Sequence, residues 1–326
     1  MYNEIDILEN DIITKYPNIL EILLRDHTTN ENIFWATDNY KHIDKSYSWS
    51  KPILPELISG VNGSIIVPRV FKDKVLQQAR SKEMAEVFTP SWVCNAQNNL
   101  IDNAWFGREG VFNFEQNINK KRDWKVNPAP IIFPEGKNWR KYVRDTRLEI
   151  TCGEAPYLVS RYDTTTGDYI NIENRIGLLD RKLRVINENV DDTGKWLKAA
   201  QIAYKNTYGF EWQGDSLLLA REAMLITFIE NYKLKFGKEP LLKSIQYIAY
   251  IISWNVWQMD GLKCVVPNSC NTTVKTNENL FGEIERKVSF CDGCFNNNIK
   301  KHSGEYCLIK DWNKGKKIRF IDLIKL

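Results

Sequence analysis

The sequence predicts an α/β fold, with helices on both faces of a parallel sheet and a small cysteine-containing module at the C-terminal side. Short apolar segments of strand length alternate with longer segments of helical periodicity between residues 147 and 261, as in βαβ units. These strands end in polar or glycine-containing turns. A Cys-x-x-Cys pair near the C-terminus predicts the small module.

The composition is that of a folded protein and argues against several classes. Of the 326 residues, 43% are apolar and 26% are charged. The net charge of +4 permits a nucleic-acid partner without requiring one. No run of about 18 apolar residues occurs, so no membrane span is expected. Seven cysteines, and an N-terminus without a signal-peptide pattern, predict a cytoplasmic protein.

Three regions are predicted along the chain. Residues 1–75 form an N-terminal region to which the sequence assigns no role, with a helix at 17–27 and a short strand within 64–70. Residues 76–265 carry the alternating strands and helices. Residues 266–326 form the basic module that contains the cysteines.

A helix–turn–helix segment opens the central region. The first helix, over 74–87, stops before Thr89-Pro90 because the residue before a proline leaves the α region. Ser91 is the predicted N-cap of the second helix, over 92–106. Beyond it, a stretch rich in Asn, Lys, Gly and Pro predicts irregular surface over 107–140.

Three strands and their helices follow. The first strand, 147–151, runs into a Cys-Gly turn, and a helical region spans about 174 to 206. The second strand, 207–212, precedes a helix over 215–237 with Asp215 as N-cap and Gly237 as the residue that ends it. A further helix at 240–253, for which strand is the alternative, leads to a third strand at 254–261.

Polar residues stand near the carboxyl ends of these strands, where open α/β sheets bind ligands. Gly153 would let a ligand approach the backbone closely. Glu211 could accept both hydroxyls of a ribose, and Asp260 could accept a hydrogen bond from a purine amine. The alternative for each acid is a solvated side chain at a strand end.

Four segments in this order resemble the motifs of the S-adenosylmethionine-dependent DNA N6-adenine methyltransferases of restriction–modification systems. They are EVFTP (86–90), LEITCGEAPYL (148–158), YGFEWQGDSLLLAREAML (208–225) and WNVWQMDGL (254–262). The resemblance covers about residues 80–265 and implies a Rossmann-like methyltransferase sheet that binds S-adenosylmethionine. It also implies DNA as a partner, together with a restriction or specificity subunit.

The resemblance assigns roles to particular residues. Thr89 and Pro90 would flank the methionine end of the cofactor. The loop under that end would consist of Glu149, Cys152, Gly153 and Ala155. Glu211 would hold the ribose, Trp212 would lie beside the adenine, and Asp260 would meet the adenine amino group. Plain packing for Trp212 and a simple helix break for Thr89-Pro90 are the alternatives.

The sequence departs from the family in its catalytic element. These enzymes carry an Asn or Asp, two prolines and an aromatic residue, which activate the target amine and stack on the flipped base. Neither VVPNSCNTTV (265–274) nor VNPAPIIF (126–133) fits that pattern, so no catalytic residue is assigned. The stretch between Gly153 and Glu211 is also long, which predicts an insertion around 161–175.

The C-terminal cysteines predict a metal site, with zinc as the metal. The predicted ligands are Cys291, Cys294, His302 and Cys307. Cys264 or Cys270 could replace His302, and a thiol pair without metal is the alternative. The basic residues that could meet phosphate, or form a solvated tail, are Lys300, Lys301, Lys310, Lys314, Lys316, Lys317 and Arg319.

Two functions therefore stand as hypotheses. The first is an S-adenosylmethionine-dependent methyltransferase that acts on adenine N6 in DNA. The second is a catalytically degenerate subunit of the same fold that binds DNA or a partner, or that supplies half of a site completed by another chain.

Overall fold

The structure is a computed structural model that describes residues 5–84, 86–118, 121–270, 273–278 and 284–324. It is a mixed arrangement of helices and short strands around one small parallel sheet. None of the described helices combines the length and the apolar character that crossing a membrane requires.

The helices and strands have the following bounds. The helices are α1 (Glu9–Lys15), α2 (Ile19–Leu24), α3 (Pro55–Ile58), α4 (Lys74–Met84), α5 (Ser91–Phe106), α6 (Trp139–Arg144), α7 (Leu178–Asn189), α8 (Thr193–Lys205), α9 (Gly214–Phe236), α10 (Leu242–Asn255) and α11 (Asp292–Phe295). The strands are β1 (Asn113–Ile118), β2 (Lys121–Val126), β3 (Arg147–Ile150), β4 (Thr207–Glu211), β5 (Val256–Gln258), β6 (Thr273–Glu278), β7 (Ile284–Ser289), β8 (Leu308–Asp311) and β9 (Lys316–Arg319).

The parallel sheet has three strands in the order β3-β4-β5. Helices α7 and α8 connect β3 to β4, and α9 and α10 connect β4 to β5. This confirms the predicted alternation of parallel strands with helices. In the part of the chain that the structure describes, β3 pairs with β4 alone, so a larger Rossmann-like sheet remains a prediction. The other strands form the antiparallel pairs β1–β2, β6–β7 and β8–β9.

The main hydrophobic core surrounds α9, which is buried along most of its length. The amphipathic faces of α7 and α8 and most of α10 pack into the same core. The N-terminal region contributes fully buried side chains to it as well, among them Ile19, Leu23 and Trp35. Burial of large apolar side chains is the main stabilising term in such a core, and the N-terminal region shares in it.

A second hydrophobic cluster covers part of the other face of the sheet. There, Phe210 of β4 and Trp257 of β5 pack with Cys307 and Ile309 at the start of the β8–β9 hairpin. The C-terminal segment is therefore built onto the sheet. Next to this cover, Leu148 and Ile150 of β3 are exposed, Ile150 by 68%.

Two buried polar side chains tie the N-terminal region to β5. The Gln258 side-chain amide accepts from the backbone N–H of Phe34 at 3.0 Å and donates to its carbonyl at 2.8 Å, as a neighbouring strand would. The fully buried Arg221 guanidinium donates to the carbonyls of Leu23, Arg25 and Val256. These bonds satisfy groups that burial would otherwise leave unpaired.

Several local predictions were wrong. Residues 64–70 hold no strand, and a short 3-10 turn occupies Arg69–Phe71. The stretch 107–140 contains β1 and β2 rather than only irregular surface. Asp215 is not the N-cap of α9, because the helix begins at Gly214. The Asp215 carboxylate instead forms buried ion pairs with Lys72 and Arg80.

The helix after Thr89-Pro90 also begins differently from the prediction. Ser91 is the first residue of α5 and not its N-cap. The Ser91 N–H donates to the Asp163 carboxylate at 2.7 Å. A side chain that is remote in sequence therefore caps the N-terminus of this helix. The hydroxyl of Thr164 donates to the Thr89 carbonyl at 3.2 Å. The loop predicted as an insertion thus holds the Thr-Pro turn in place.

Candidate functional site

The predicted ligand-binding residues come from three adjacent strand ends. The Gly153 N–H donates to the Glu211 carboxylate at 2.9 Å, which joins the end of β3 to the end of β4. The Met259 N–H donates to the Glu211 carbonyl at 3.0 Å, so Asp260 leaves β5 at the same edge. Parallel pairing of β3, β4 and β5 explains this, since their carboxyl ends share one side of the sheet.

A cleft of about 120 Å³ lies at this edge, on the side of β3 and β4. Its lining residues come from the segment before α5, from the loop after β3 and from the start of α9. They are Glu86, Val87, Phe88, Thr89, Glu149, Thr151, Cys152, Gly153, Glu154, Pro156, Tyr157, Glu211, Gln213 and Ser216. Among these lining residues are four carboxylates and no Lys or Arg.

Three of the lining carboxylates are buried, and burial raises the pKa of each of them. Glu211 accepts from the N–H groups of Gly153, Trp212 and Gln213. Glu154 accepts from the Arg69 N–H at 2.7 Å and from the Tyr162 hydroxyl at 2.6 Å. These bonds lower the pKa of both groups without offsetting the effect of burial.

Glu149 is the least satisfied of the three. Its side chain is on β3, and the residue is only 7% exposed. One carboxylate oxygen accepts from the Tyr157 N–H at 3.3 Å, and the other has no hydrogen-bond partner among the described residues. Burial raises the pKa of Glu149 well above its usual range, and the Glu211 carboxylate nearby adds to the rise. A buried carboxylate oxygen in this state attracts a cation or a hydrogen-bond donor.

A network of buried charges holds the segment before α5 against the cleft. Arg80 of α4 donates to the Asp215 carboxylate at 2.8 Å and to Glu86 at 2.5 Å. The Lys72 ammonium lies 3.0 Å from the Asp215 carboxylate, and the Gln213 side chain donates to Glu86 at 3.0 Å. The network therefore holds Glu86 and the residues that follow it next to the start of α9.

The structure brings some of the predicted cofactor residues to the cleft and places others beside it. Thr89, Glu149, Cys152, Gly153 and Glu211 line it. Pro90 is the N-cap residue of α5, and Ala155 is fully buried behind the loop with a φ of +62°. Trp212 and Asp260 follow β4 and β5 outside the lining.

The side chains of Trp212 and Asp260 already have protein partners. The Trp212 indole N–H donates to the Ala36 carbonyl at 3.4 Å. The Asp260 carboxylate accepts from the N–H groups of Leu262 and Lys263 and pairs with the Lys263 ammonium at 3.3 Å. Asp260 therefore shapes the turn after β5.

Sequence reasoning missed Glu154 as a site residue. It is part of the turn after β3, but its partners Arg69 and Tyr162 are remote from one another in sequence. The available signal was local, because three glutamates fall on or just after the predicted ends of two strands. Only the fold shows that Glu149, Glu154 and Glu211 line one cleft.

The Pro267-Asn268 pair, which does not fit the catalytic pattern in sequence, forms a β-turn. The Ser269 N–H donates to the Val266 carbonyl at 3.1 Å, and Asn268 has a φ of +60°. This is the pattern of a type II turn, with Pro second and Asn third. Asn268 is exposed and does not line the cleft.

A second candidate site is a group of four ligand atoms near the C-terminus. The Cys/His group consists of Cys270, Cys291, Cys294 and His302, whose ligand atoms all lie within 4.8 Å of one another. Three of its members agree with the sequence prediction. Cys307 does not belong to it, because its thiol donates to the Gln258 carbonyl inside the second hydrophobic cluster. Cys270 replaces Cys307, and His302 stays in the group.

Two of the predicted phosphate-binding lysines have aromatic partners. The Lys310 ammonium lies 4.8 Å from the Tyr250 ring centre and donates to that hydroxyl at 2.7 Å. The Lys317 ammonium lies 5.4 Å from the Trp254 ring centre. These contacts fasten the β8–β9 hairpin to α10. A role of the C-terminal basic residues in binding phosphate stays a prediction.

Comparison of the chain with protein-family models, with curated proteins and with solved structures found no match.

Proposed function

We propose that the cleft binds the cationic methionine end of S-adenosylmethionine and that the protein acts in the methylation of adenine N6 in DNA. One observation carries the proposal: three buried glutamates line a cleft without a basic lining residue, and Glu149 has a carboxylate oxygen without a partner among the described residues. The order of the four sequence motifs supports the choice of cofactor.

The charge of the cleft discriminates between nucleotide cofactors. A dinucleotide or a nucleoside triphosphate would bring phosphates against the buried glutamates, and like charges at short range repel. The methionine end of S-adenosylmethionine carries an ammonium, a sulfonium and a carboxylate, so its net charge is positive, and the molecule has no phosphate. The carboxylate would face away from the buried glutamates. Opposite charge in a partly desolvated cleft favours such a ligand.

The size of the cleft suits one part of the cofactor. A volume of about 120 Å³ matches the amino-acid end, whereas pockets for whole ligands of this size span about 300–1,000 Å³. The ribose would meet Glu211, whose carboxylate would exchange its bond with the Gly153 N–H for the ribose hydroxyls.

A second candidate function is a subunit that binds the cofactor or DNA and relies on a partner for catalysis. Asn268 lies in an exposed turn away from the cleft lining, so its side chain does not supply a target-amine acceptor there. The outer edge of β3 also pairs with nothing in the residues that the structure describes, and Ile150 beside it is exposed. A partner that extends the sheet at this edge would complete the site.

Calorimetric titration of the full chain with S-adenosylmethionine tests cofactor binding. We expect Glu149→Gln to weaken binding about tenfold or more, because the buried carboxylate loses its charge. The matched control is Glu173→Gln, an exposed glutamate outside the cleft lining, which should leave the affinity unchanged. If the wild-type chain binds no cofactor, both candidate functions that use the cleft are wrong.

The glycine in the cleft provides an independent test. Gly153 and Gly136 both have positive φ, and an added Cβ meets nothing within 4 Å at either position. Ala at either site should therefore cost a similar backbone strain, of about 1 kcal/mol. Only Gly153→Ala places a methyl group at the cleft and should weaken cofactor binding. Equal losses of affinity in both variants would argue against the cleft.

Transfer of a labelled methyl group from the cofactor to unmethylated plasmid DNA separates the two functions. Label in the N6-methyl-2′-deoxyadenosine fraction of the digested DNA supports the methyltransferase. Cofactor binding without transfer by the isolated chain supports the partner-dependent subunit and contradicts methyl transfer by this chain alone.

A further inference from the structure

We propose that Cys270, Cys291, Cys294 and His302 bind one structural Zn²⁺. The metal would link the two ends of the segment between Cys270 and Cys291, which contains β6 and β7. This site does not rest on the proposed function of the cleft. It differs in ligand set from the sequence prediction, since Cys270 takes the place of Cys307.

The distances within the Cys/His group are those of a tetrahedral zinc site. The His302 Nδ1 atom lies 3.6 Å from each of the sulfurs of Cys270, Cys291 and Cys294. With Zn–S bonds of about 2.3 Å and Zn–N bonds of about 2.0–2.1 Å at tetrahedral angles, the expected S···N separation is about 3.6 Å. Three equal separations therefore fit one metal at the centre.

The donor set selects the metal and its role. Three thiolates and one imidazole are soft and borderline ligands, which favour Zn²⁺ over Mg²⁺ or Ca²⁺. Four protein ligands fill a tetrahedral coordination sphere and leave no open position for a substrate or water. The site is therefore structural.

Two glycines allow the ligands to approach one another. A Cβ at Gly293 would lie 2.6 Å from the His302 Nδ1 atom. A Cβ at Gly304 would lie 2.9 Å from the Cys270 sulfur. Both separations are shorter than a Cβ contact allows, so the absence of side chains at these positions is part of the site.

Hydrogen bonds orient the ligands from outside. The Ser303 N–H donates to the Cys291 sulfur at 3.1 Å. The His302 N–H donates to the Tyr306 hydroxyl at 2.9 Å, and that hydroxyl donates to the Ile299 carbonyl at 2.8 Å. Outer contacts of this kind fix ligand geometry in metal sites.

The placement of the ligands gives the metal a mechanical role. Cys270 precedes β6, and Cys291 follows β7, so the metal joins the base of an excursion that contains this antiparallel pair. The other two ligands come from α11 and the loop after it. Next to the site, Val265 forms an antiparallel β-bridge with Tyr306, which belongs to the segment that leads to β8. A metal at this position would close the base of the loop and lower the entropy of its open forms.

Metal analysis of the full-length chain, purified without added metal and without chelator, tests the site. We expect about one zinc per chain in the wild type. Cys294→Ser should lower this several-fold, and its side chain is exposed, so the variant should fold. The matched control is Cys307→Ala, which removes the thiol that spacing alone would choose and should keep the zinc. Loss of zinc in Cys307→Ala with retention in Cys294→Ser would overturn the assignment, as would stoichiometric iron.

Cobalt substitution gives a second readout that does not depend on the yield of zinc. The wild type and Cys307→Ala should show the same thiolate-to-cobalt charge-transfer absorption, and Cys294→Ser should show less of it. After chelation, a protease should cleave within residues 271–290 while the rest of the chain resists. A wild-type chain that takes up neither zinc nor cobalt, or that resists cleavage equally with and without chelator, contradicts the proposal.

Discussion

The acidic cleft and the Cys/His group place reactive side chains close together in opposite ways. In the cleft, Glu211 and Glu154 are held by the protein's own N–H and hydroxyl groups. In the Cys/His group, three sulfurs face one imidazole nitrogen at equal distances. The carboxylates of Glu211 and Glu154 thus have partners within the protein, whereas the ligand atoms of the Cys/His group surround one central point.

Under the two proposals, this is the difference expected between a site for an exchangeable ligand and a site for a resident ion. A cofactor that comes and goes requires a cleft that stays folded between binding events, so protein donors must support most of its carboxylates. A structural metal stays bound and supplies part of the folding free energy itself. Ligand binding in the cleft should therefore be lost when the surrounding scaffold is disrupted. Metal binding by the Cys/His group should be lost when one of its own ligands is replaced.

The largest effect is expected from Asp215→Asn. The Asp215 carboxylate is buried with Arg80 and Lys72, and removing its charge breaks the ion pairs with both of these cationic side chains. Breaking a buried pair in this way costs about 3–5 kcal/mol. Urea unfolding should show this loss, and cofactor binding should weaken because Glu86 and Thr89 are no longer held at the cleft.

The control for this variant is Asp322→Asn, which breaks an exposed pair with Arg319 and should leave the free energy of unfolding nearly unchanged. The zinc content of Asp215→Asn should equal that of the wild type. If zinc is lost together with cofactor binding, the two sites are not independent and the comparison fails.

A smaller effect, with a clear dependence on pH, is expected from Glu149→Gln. The folded protein binds the Glu149 proton more tightly than the unfolded chain does, because the pKa is raised above its ordinary value of 4.5. The stability associated with this group is thus greatest below about pH 4.5 and falls as the pH rises above it. At pH 8 the variant should be more stable than the wild type by about 1 kcal/mol or more, because the amide has no proton to lose and never places a charge in the buried site.

The same group links cofactor binding to proton release. A cation that binds beside Glu149 favours the ionised carboxylate, so the affinity of the wild type should rise with pH. The apparent binding enthalpy should differ between buffers of different ionisation enthalpy, and Glu149→Gln should reduce that difference. A pH-independent affinity would show that the cationic end does not meet Glu149.

The smallest effect is expected from Asn268→Ala. Asn268 is exposed in a turn with positive φ, and the replacement costs about 1 kcal/mol or less in backbone strain. Cofactor affinity and any methyl transfer should match the wild type. Transfer that disappears in this variant while cofactor binding persists would make Asn268 catalytic and would contradict the assignment of this segment to a turn beside the Cys/His group.

Local sequence patterns predicted the strands and helices that line the cleft. β3 and β4 lie within their predicted ranges, and Gly237 ends α9 with a φ of +67°. These features depend on neighbours in sequence. The polar strands β1 and β2 were missed because they pair with each other on the surface and lack an apolar alternation. Asp163 was missed as the partner of Ser91 because the two are remote in sequence.

The Cys/His group also shows that local sequence patterns do not predict contacts between residues remote in sequence, and here the residue concerned is Cys270. The spacing of Cys291, Cys294 and His302 pointed to a metal site without the fold. Spacing favoured Cys307 as the fourth ligand and offered Cys270 only in place of His302, so the presence of Cys270 beside His302 could not be read from spacing. It depends on Gly304, which lets Cys270 approach, and on the apolar cluster that encloses Cys307.

The amide of Gln258 has a consequence for how the protein can be divided. By bonding both polar groups of Phe34, one side chain ties the end of β5 to the first fifty residues. A fragment without the N-terminal region would lose the partner of this buried amide and would uncover the core surface against which Ile19, Leu23 and Trp35 pack. We therefore expect such a fragment to aggregate rather than to fold alone.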